Sequence, residues 1–306
     1  MRAEVVFRTS SVCSCASVVT AFGAGADPFW ATYRVPVTRV SHEWDPERYL
    51  SYADERGRPF VELLARVGAE NPRRVVDLGC GPGNLTRLLA QRWPEAQVGG
   101  LDSSPHMVTE AQQVEGITAE VADIATWAAE TDPDTGGDAD LVDVLVSNAA
   151  LQWVPGHLGL LPALLRRVAP GGWFAMQVPG NFDEPSHTIR RELAALPEFA
   201  PHTEGVAVPS SHDPDVYLRA LQEQGCTVDA WETTYLHVLP SGSDPDPVFT
   251  WVSGTGARPT LQALPDELRE RFEAEFKQRL RQAYPNRGYG VVLPFRRVFA
   301  VAHKPA

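Results

Sequence analysis

The run Asp77-Leu78-Gly79-Cys80-Gly81-Pro82-Gly83 constrains this chain more than any other segment. A short β-branched stretch, Arg74 to Leu78, enters it, and a helical pattern from Asn84 to Arg92 leaves it and stops before Pro94. That is the signature of a strand, a tight loop and a helix in succession. Gly79, Gly81 and Gly83 remove side-chain bulk, so the backbone can approach a ligand closely, and the helix start offers unpaired N–H groups to an anionic group such as a carboxylate. In open α/β sheets ligands bind outside the carboxyl ends of the strands, which is where such a turn stands.

The remaining pattern predicts the sheet that such a turn requires. Strands are expected at Val98–Leu101, Thr118–Val121, Leu141–Val146 and Trp173–Val178, with helices at Pro105–Gln113 and about His157–Val168 between them. Leu141–Val146 is an almost uninterrupted apolar run, as suits a central parallel strand covered on both faces. Alternation of this kind gives a doubly wound, mostly parallel, seven-stranded Rossmann-like α/β sheet. After Asn181 the rhythm breaks: helices are expected near Ser186–Leu196, Asp213–Gln224 and Asp266–Tyr284, and late strands at Val228–Leu239 and Phe295–Ala302. The helices are assigned to a cap over the site, about 181–226 and 240–292, within one domain spanning 41–306. A first helix from Asp45, capped by Asp45-Pro46, carries Tyr49, Tyr52, Arg56, Phe60, Leu63, Leu64 and Val67 at three- and four-residue steps.

Two carboxylates at successive strand ends narrow the ligand. Asp102, 19 residues after Gly83 and followed by Ser103, ends the second strand, where it can accept hydrogen bonds from both hydroxyls of a ribose. Asp123, followed by Ile124, ends the third, in reach of an adenine amino group, and Asn148 ends the fourth. The spacing separates two nucleotide-type cofactors. A dinucleotide fingerprint would put its third glycine at position 84, which is Asn84, whereas this loop has Gly83 and is preceded by Asp77. The predicted cofactor is S-adenosylmethionine, held by Asp77, Gly79, Cys80, Gly81, Gly83, Asp102, Ser103, Asp123, Ile124 and Asn148.

A net charge of −12 argues against sequence-independent nucleic-acid binding, which needs a concentrated basic surface, and directs attention to small molecules. An anionic acceptor would then have to be gathered by arginines against the overall field. Cys13, Cys15, Cys80 and Cys226 have no zinc-site spacing and fit a reducing compartment, the cytoplasm, with no metal expected. No stretch approaches the roughly 20 apolar residues of a membrane span, and no obligate protein partner is implied. Residues 1–40 read as a disordered arm, or as a segment preceding a translation start near Val40.

The segments D-L-G-C-G-P-G at 77–83 and L-D-S-S-P at 101–105 resemble class I S-adenosylmethionine-dependent methyltransferases. Trp44-Asp45-Pro46, Glu55-Arg56-Gly57-Arg58-Pro59, Ser147-Asn148-Ala149-Ala150-Leu151-Gln152-Trp153, Glu184-Pro185-Ser186-His187, Thr233-Thr234-Tyr235-Leu236-His237 and Pro294-Phe295-Arg296-Arg297 narrow the likeness to the trans-aconitate 2-methyltransferase family. The resemblance implies esterification of one carboxylate of a small polycarboxylic acid; a hydroxyl or carbon acceptor is the alternative. A Val154-Pro155-Gly156-His157 sequence stands where nitrogen-directed enzymes of this class often carry Asp-Pro-Pro-Tyr or Asn-Pro-Pro-Tyr.

Carboxylate chemistry makes its own demands. A carboxyl group with an ordinary pKa near 4 is ionised at pH 7 and needs no general base. An arginine on the reacting carboxylate would oppose the reaction as that charge is consumed, so arginines belong on the non-reacting carboxylates, with aromatic walls around the reacting one. Arg58, Arg258 and Arg296 are the expected anchors and Trp153 and Tyr235 the walls; His187 and His237 are hydrogen-bonding candidates rather than bases. Trp44 is expected either to fold over the cofactor or to pack on the sheet.

Overall fold

A computed structural model describes residues 57–129, 141–240, 242 and 244–306. The expectations for the arm, for Trp44 and for the first helix before residue 57 fall outside these residues. The described part of that helix is α1 (Gly57–Leu64), which buries Phe60, Leu63 and Leu64 at helical spacing.

The sheet is built from β1 (Arg74–Leu78), β2 (Gln97–Asp102), β3 (Thr118–Val121), β4 (Val142–Asn148), β5 (Val168–Pro179), β6 (Thr227–Leu239) and β7 (Val291–His303). Its order is β3-β2-β1-β4-β5-β7-β6. The first five strands pair in parallel, and β7 runs antiparallel to both β5 and β6. The predicted doubly wound sheet is therefore observed, with its strand order reversing between β1 and β4. A crevice at such a reversal is the place for a ligand.

Helices α2 (Thr86–Arg92), α3 (Pro105–Ala111), α4 (Ile124–Ala129) and α5 (His157–Arg166) connect the parallel strands. The sequence reading has no counterpart to α4, a six-residue helix whose N-cap is Asp123. The long apolar strand is central, as expected: Val142, Val144, Leu145 and Val146 are fully buried, and Val142 and Leu145 belong to the main core with Leu78, Phe174 and Val298. Each such side chain contributes roughly 1.5–3 kcal/mol through burial.

The C-terminal half contains α6 (Pro185–Ala194), α7 (Ala200–Thr203), α8 (Pro214–Gln222), α9 (Pro247–Ser253), α10 (Arg258–Ala263) and α11 (Asp266–Ala283). Two different cores divide them. Tyr217 and Leu221 of α8 join the sheet core, so α8 is a sheet-covering helix and not part of the layer to which 181–226 was assigned. Leu193, Phe199, Val248, Val252, Leu261, Phe272, Phe276 and Leu280 form a second core with Leu239, Val291 and Leu293 from the far ends of β6 and β7. Phe272, Phe276 and Leu280 recur every four residues along α11, which gives that helix its buried stripe. Among the described residues no helix is long and apolar enough to cross a membrane.

Candidate active site

The glycine turn is locked from behind. Asp77 at the end of β1 is buried and accepts a hydrogen bond from Thr86 Oγ1 at 2.7 Å, tying the strand to α2. Burial, with a smaller contribution from Asp102, lifts its pKa to about 6, while the Thr86 bond holds it down. Asp102 clamps the same turn: its Oδ2 accepts from Gly81 N and its Oδ1 from Ser104 N, both at 2.9 Å. Gly79 has φ +74°, and a Cβ there would lie 2.2 Å from Ala150 Cβ. The turn is thus pressed against the exit of β4, where Ala149 itself adopts a left-handed φ of 55°. Such backbone costs of order 1–3 kcal/mol per residue and persists where the surroundings hold it.

These elements open into a cavity of about 590 Å³. Gly79, Cys80, Gly81, Pro82 and Asn148 line it, together with residues of α6, α9 and α10. At Gly81 a Cβ would meet nothing within 4 Å, so the Cα side of the turn faces open space while its N–H is held by Asp102. Asn148 carries a buried Oδ1 with no hydrogen-bond partner among the described residues. Open backbone plus an orphaned polar atom is what a bound polar ligand would complete, so the residues present fit the expected cofactor.

The acceptor side departs from the sequence expectation. Arg258 and Arg297 line the cavity with Trp153, Trp251, Phe182 and Phe295. Arg296 does not. It pairs with Glu232 and Asp213 and donates to Gly180 O, because consecutive strand residues point to opposite faces and Arg297 shares the Phe295 face. Arg297 is buried and its guanidinium lies 4.3 Å from the Phe295 ring centroid. Arg58 also stands outside the cavity lining: it bonds Glu62 at 2.8 Å and lies over the Tyr235 ring. Tyr235 donates its hydroxyl to Glu62 at 2.6 Å and so fastens β6 to α1 instead of walling the cavity; burial, then Glu62, pushes its pKa up. His237 packs behind the wall, its ring 5.0 Å from Trp251 and 5.9 Å from Phe295.

Two other corrections concern carboxylates. Asp123 Oδ1 accepts from Thr126 N and Oγ1, the work of a helix N-cap, and Ser103, Asp123 and Ile124 are not among the cavity-lining residues. Asp77, Asp102 and Gly83 likewise shape the loop from outside the cavity: a Cβ on Gly83 would press on Ile117 and Ala111 of the adjoining layer. His187 does line the cavity, at the Phe182 ring edge, and burial followed by Arg190 and Arg191 lowers its pKa to about 4. It is neutral at physiological pH. Sequence reasoning missed Gln152 and Asn181, which line the cavity with buried amide oxygens lacking partners among the described residues.

Residues 49–230 match a family described as a methyltransferase domain. The chain is 51% identical over 279 residues to the trans-aconitate 2-methyltransferase of Streptomyces avermitilis, spanning 86% of this chain and 97% of that relative. It is 50% identical over 263 residues to the enzyme of the same name from Mycobacterium sp. strain KMS, at 85% and 98% coverage. Among solved structures, the YcgJ protein from Bacillus subtilis aligns with a TM-score of 0.50 at 13% identity, covering 81% of this chain and 99% of that one, a likeness of fold alone.

Proposed function

The chain belongs to the S-adenosylmethionine-dependent methyltransferases, in the family of the trans-aconitate 2-methyltransferases, and on that premise we propose that it methylates one carboxylate of trans-aconitate, giving a monomethyl ester and S-adenosylhomocysteine. One observation carries the acceptor class. Among the described residues the cavity lining contains two arginines and neither aspartate nor glutamate, in a protein whose net charge is −12. Acids are excluded from one place and cations concentrated there, which is the local field a polycarboxylate requires.

When bound, S-adenosylmethionine supplies an electrophilic methyl group on a sulfonium. Gly79, Cys80, Gly81 and Asn148 are the residues that would hold it, with Asp102 bracing the turn and keeping carboxylate lone pairs available beyond the two backbone bonds it accepts. Arg258 and Arg297 would hold the carboxylates that do not react, and Gln152 and Asn181 would satisfy their buried amides on the remaining polar atoms of the acceptor. Trp153, Trp251, Phe182 and Phe295 exclude water from the reacting carboxylate. Alignment at near-attack distance can supply roughly 7–11 kcal/mol in favourable cases, so positioning is the main contribution of the protein. A hydroxyl or carbon acceptor would call for a base, and the described lining, which has no carboxylate and has His187 at about 4, offers a poor one.

This reading places the enzyme in the cytoplasm, where reduced Cys80 and Cys226 persist. The test is turnover of S-adenosylmethionine against trans-aconitate, cis-aconitate, citrate and isocitrate, with esters detected by mass spectrometry. A monomethyl ester from trans-aconitate in preference to the others is expected; S-adenosylhomocysteine formation with none of them overturns the acceptor.

A further inference from the structure

Arg190 on α6 is 3% exposed, and among the described residues its hydrogen-bond partner is Thr260 Oγ1, which accepts from Nη1 at 2.8 Å. Its Nε has no partner among the described residues, and none of their carboxylates pairs with it. Arg191, next in sequence, is engaged elsewhere, donating to Phe182 O and lying 3.8 Å from Asp183. A buried guanidinium without a counter-charge costs several kcal/mol. A chain with 39 acidic residues has every means to supply one, and Glu204, although it lines the same groove, does not reach ion-pair distance.

That groove has a volume of about 670 Å³ and shares no lining residue with the active-site cavity. Arg190, Arg191 and the buried Thr260 give it a polar floor; Ala194, Pro197 and Val208 give it apolar sides. A guanidinium with an unused N–H edge matches a carboxylate geometrically, and the apolar sides match a short aliphatic chain attached to it. We propose that this groove is a second ligand site, which takes a small aliphatic carboxylic acid with one carboxylate on Arg190. Two of the three helices that frame it, α6 and α10, also line the active-site cavity through His187 and through Arg258, Pro259 and Gln262. Charge joins the two places as well, since Arg190 is one of the groups that depress the His187 pKa.

The probe is glutarate, titrated calorimetrically against protein carrying Arg258→Gln and Arg297→Met, so that the active-site cavity no longer competes for it. One glutarate per chain is expected in that background, with affinity reduced at least tenfold on adding Arg190→Gln and less on adding Thr260→Val, which keeps the charge. Folding is checked by thermal unfolding without ligand: Arg190→Gln removes an unpaired buried charge and is expected to melt at or above its parent, and glutarate should raise the Tm of the parent but not of the Arg190→Gln protein. No binding in the parent background, or binding unchanged by Arg190→Gln, overturns the site. Sulfate binding as tight as glutarate overturns the assignment to an aliphatic acid.

Discussion

Replacing Arg297 by methionine separates the two adjacent arginines of β7. The substitution keeps an unbranched side chain of similar reach and deletes the charge that lines the cavity beside Phe295. Truncating one partner of a buried, hydrogen-bonded charge pair costs about 2–5 kcal/mol, and a mid-range loss of about 3 kcal/mol is a factor on the order of 10² in kcat/KM. Because the carboxylate held by Arg297 is not the one that reacts, its interaction persists unchanged from ground state to transition state. The loss should therefore fall on KM, with kcat reduced by less than about tenfold. Steady-state ester formation at saturating S-adenosylmethionine measures both. Arg296→Gln is the matched control: it breaks pairs with Glu232 and Asp213 that are half-exposed at the surface and worth roughly 0–1 kcal/mol, so KM should stay within about twofold while Tm shifts slightly. A high KM in Arg296→Gln with an unaltered KM in Arg297→Met would refute the assignment of faces.

The glycine turn offers a paired test. Gly79→Ala puts a Cβ 2.2 Å from Ala150 at φ +74° and should lower Tm, since overpacking alone costs roughly 1–3 kcal/mol; Gly81→Ala meets open space, so its smaller Tm change should accompany a larger loss of cofactor affinity by calorimetry. Rates should be flat from pH 6 to 9 in kcat/KM, as a carboxylate acceptor is already ionised and needs no base; a limb with a midpoint near 7 would refute base-free transfer. Stability has two opposed pH dependences. Asp77 is raised from 3.8 to about 6, so its contribution is complete below about pH 4 and is lost as pH climbs through 6; His187 is lowered from 6.5 to about 4, so its contribution is complete above about 6.5 and is lost as pH falls through 4. At about two pKa units each, or roughly 3 kcal/mol, they nearly cancel between pH 4 and 6.5. Asp77→Asn should make denaturant-measured stability rise across that window and His187→Gln should make it fall; slopes of the same sign in the two variants would contradict these shifts.

What could be read from the sequence follows from how far apart the determining residues are. The donor half is contiguous: β1, the glycine turn and α2 occupy Arg74 to Arg92, each specified by its own β-branched run, glycines or helical period, and their order fixes the crevice without knowledge of the rest. Even there, side-chain direction was not legible. A carboxylate after a strand looks the same whether it faces a ligand, clamps a loop as Asp102 does, or caps a helix as Asp123 does. The acceptor half is assembled from Trp153, Asn181, Trp251, Arg258 and Arg297, each placed by packing between distant elements. Helices α9 and α10 are seven and six residues long, too short for a periodic signal, and owe their existence to Val248, Val252 and Leu261 entering the second core. The choice between Arg296 and Arg297 depends on strand parity, which is set by pairing: Arg297 sits opposite Pro179 on β5 and Thr233 on β6, so it shares a face with Phe295 while Arg296 takes the other. A slip of one residue in that register would exchange the two arginines. The substrate side of this site is therefore a property of the β5–β7–β6 pairing, and only the assembled sheet could assign it.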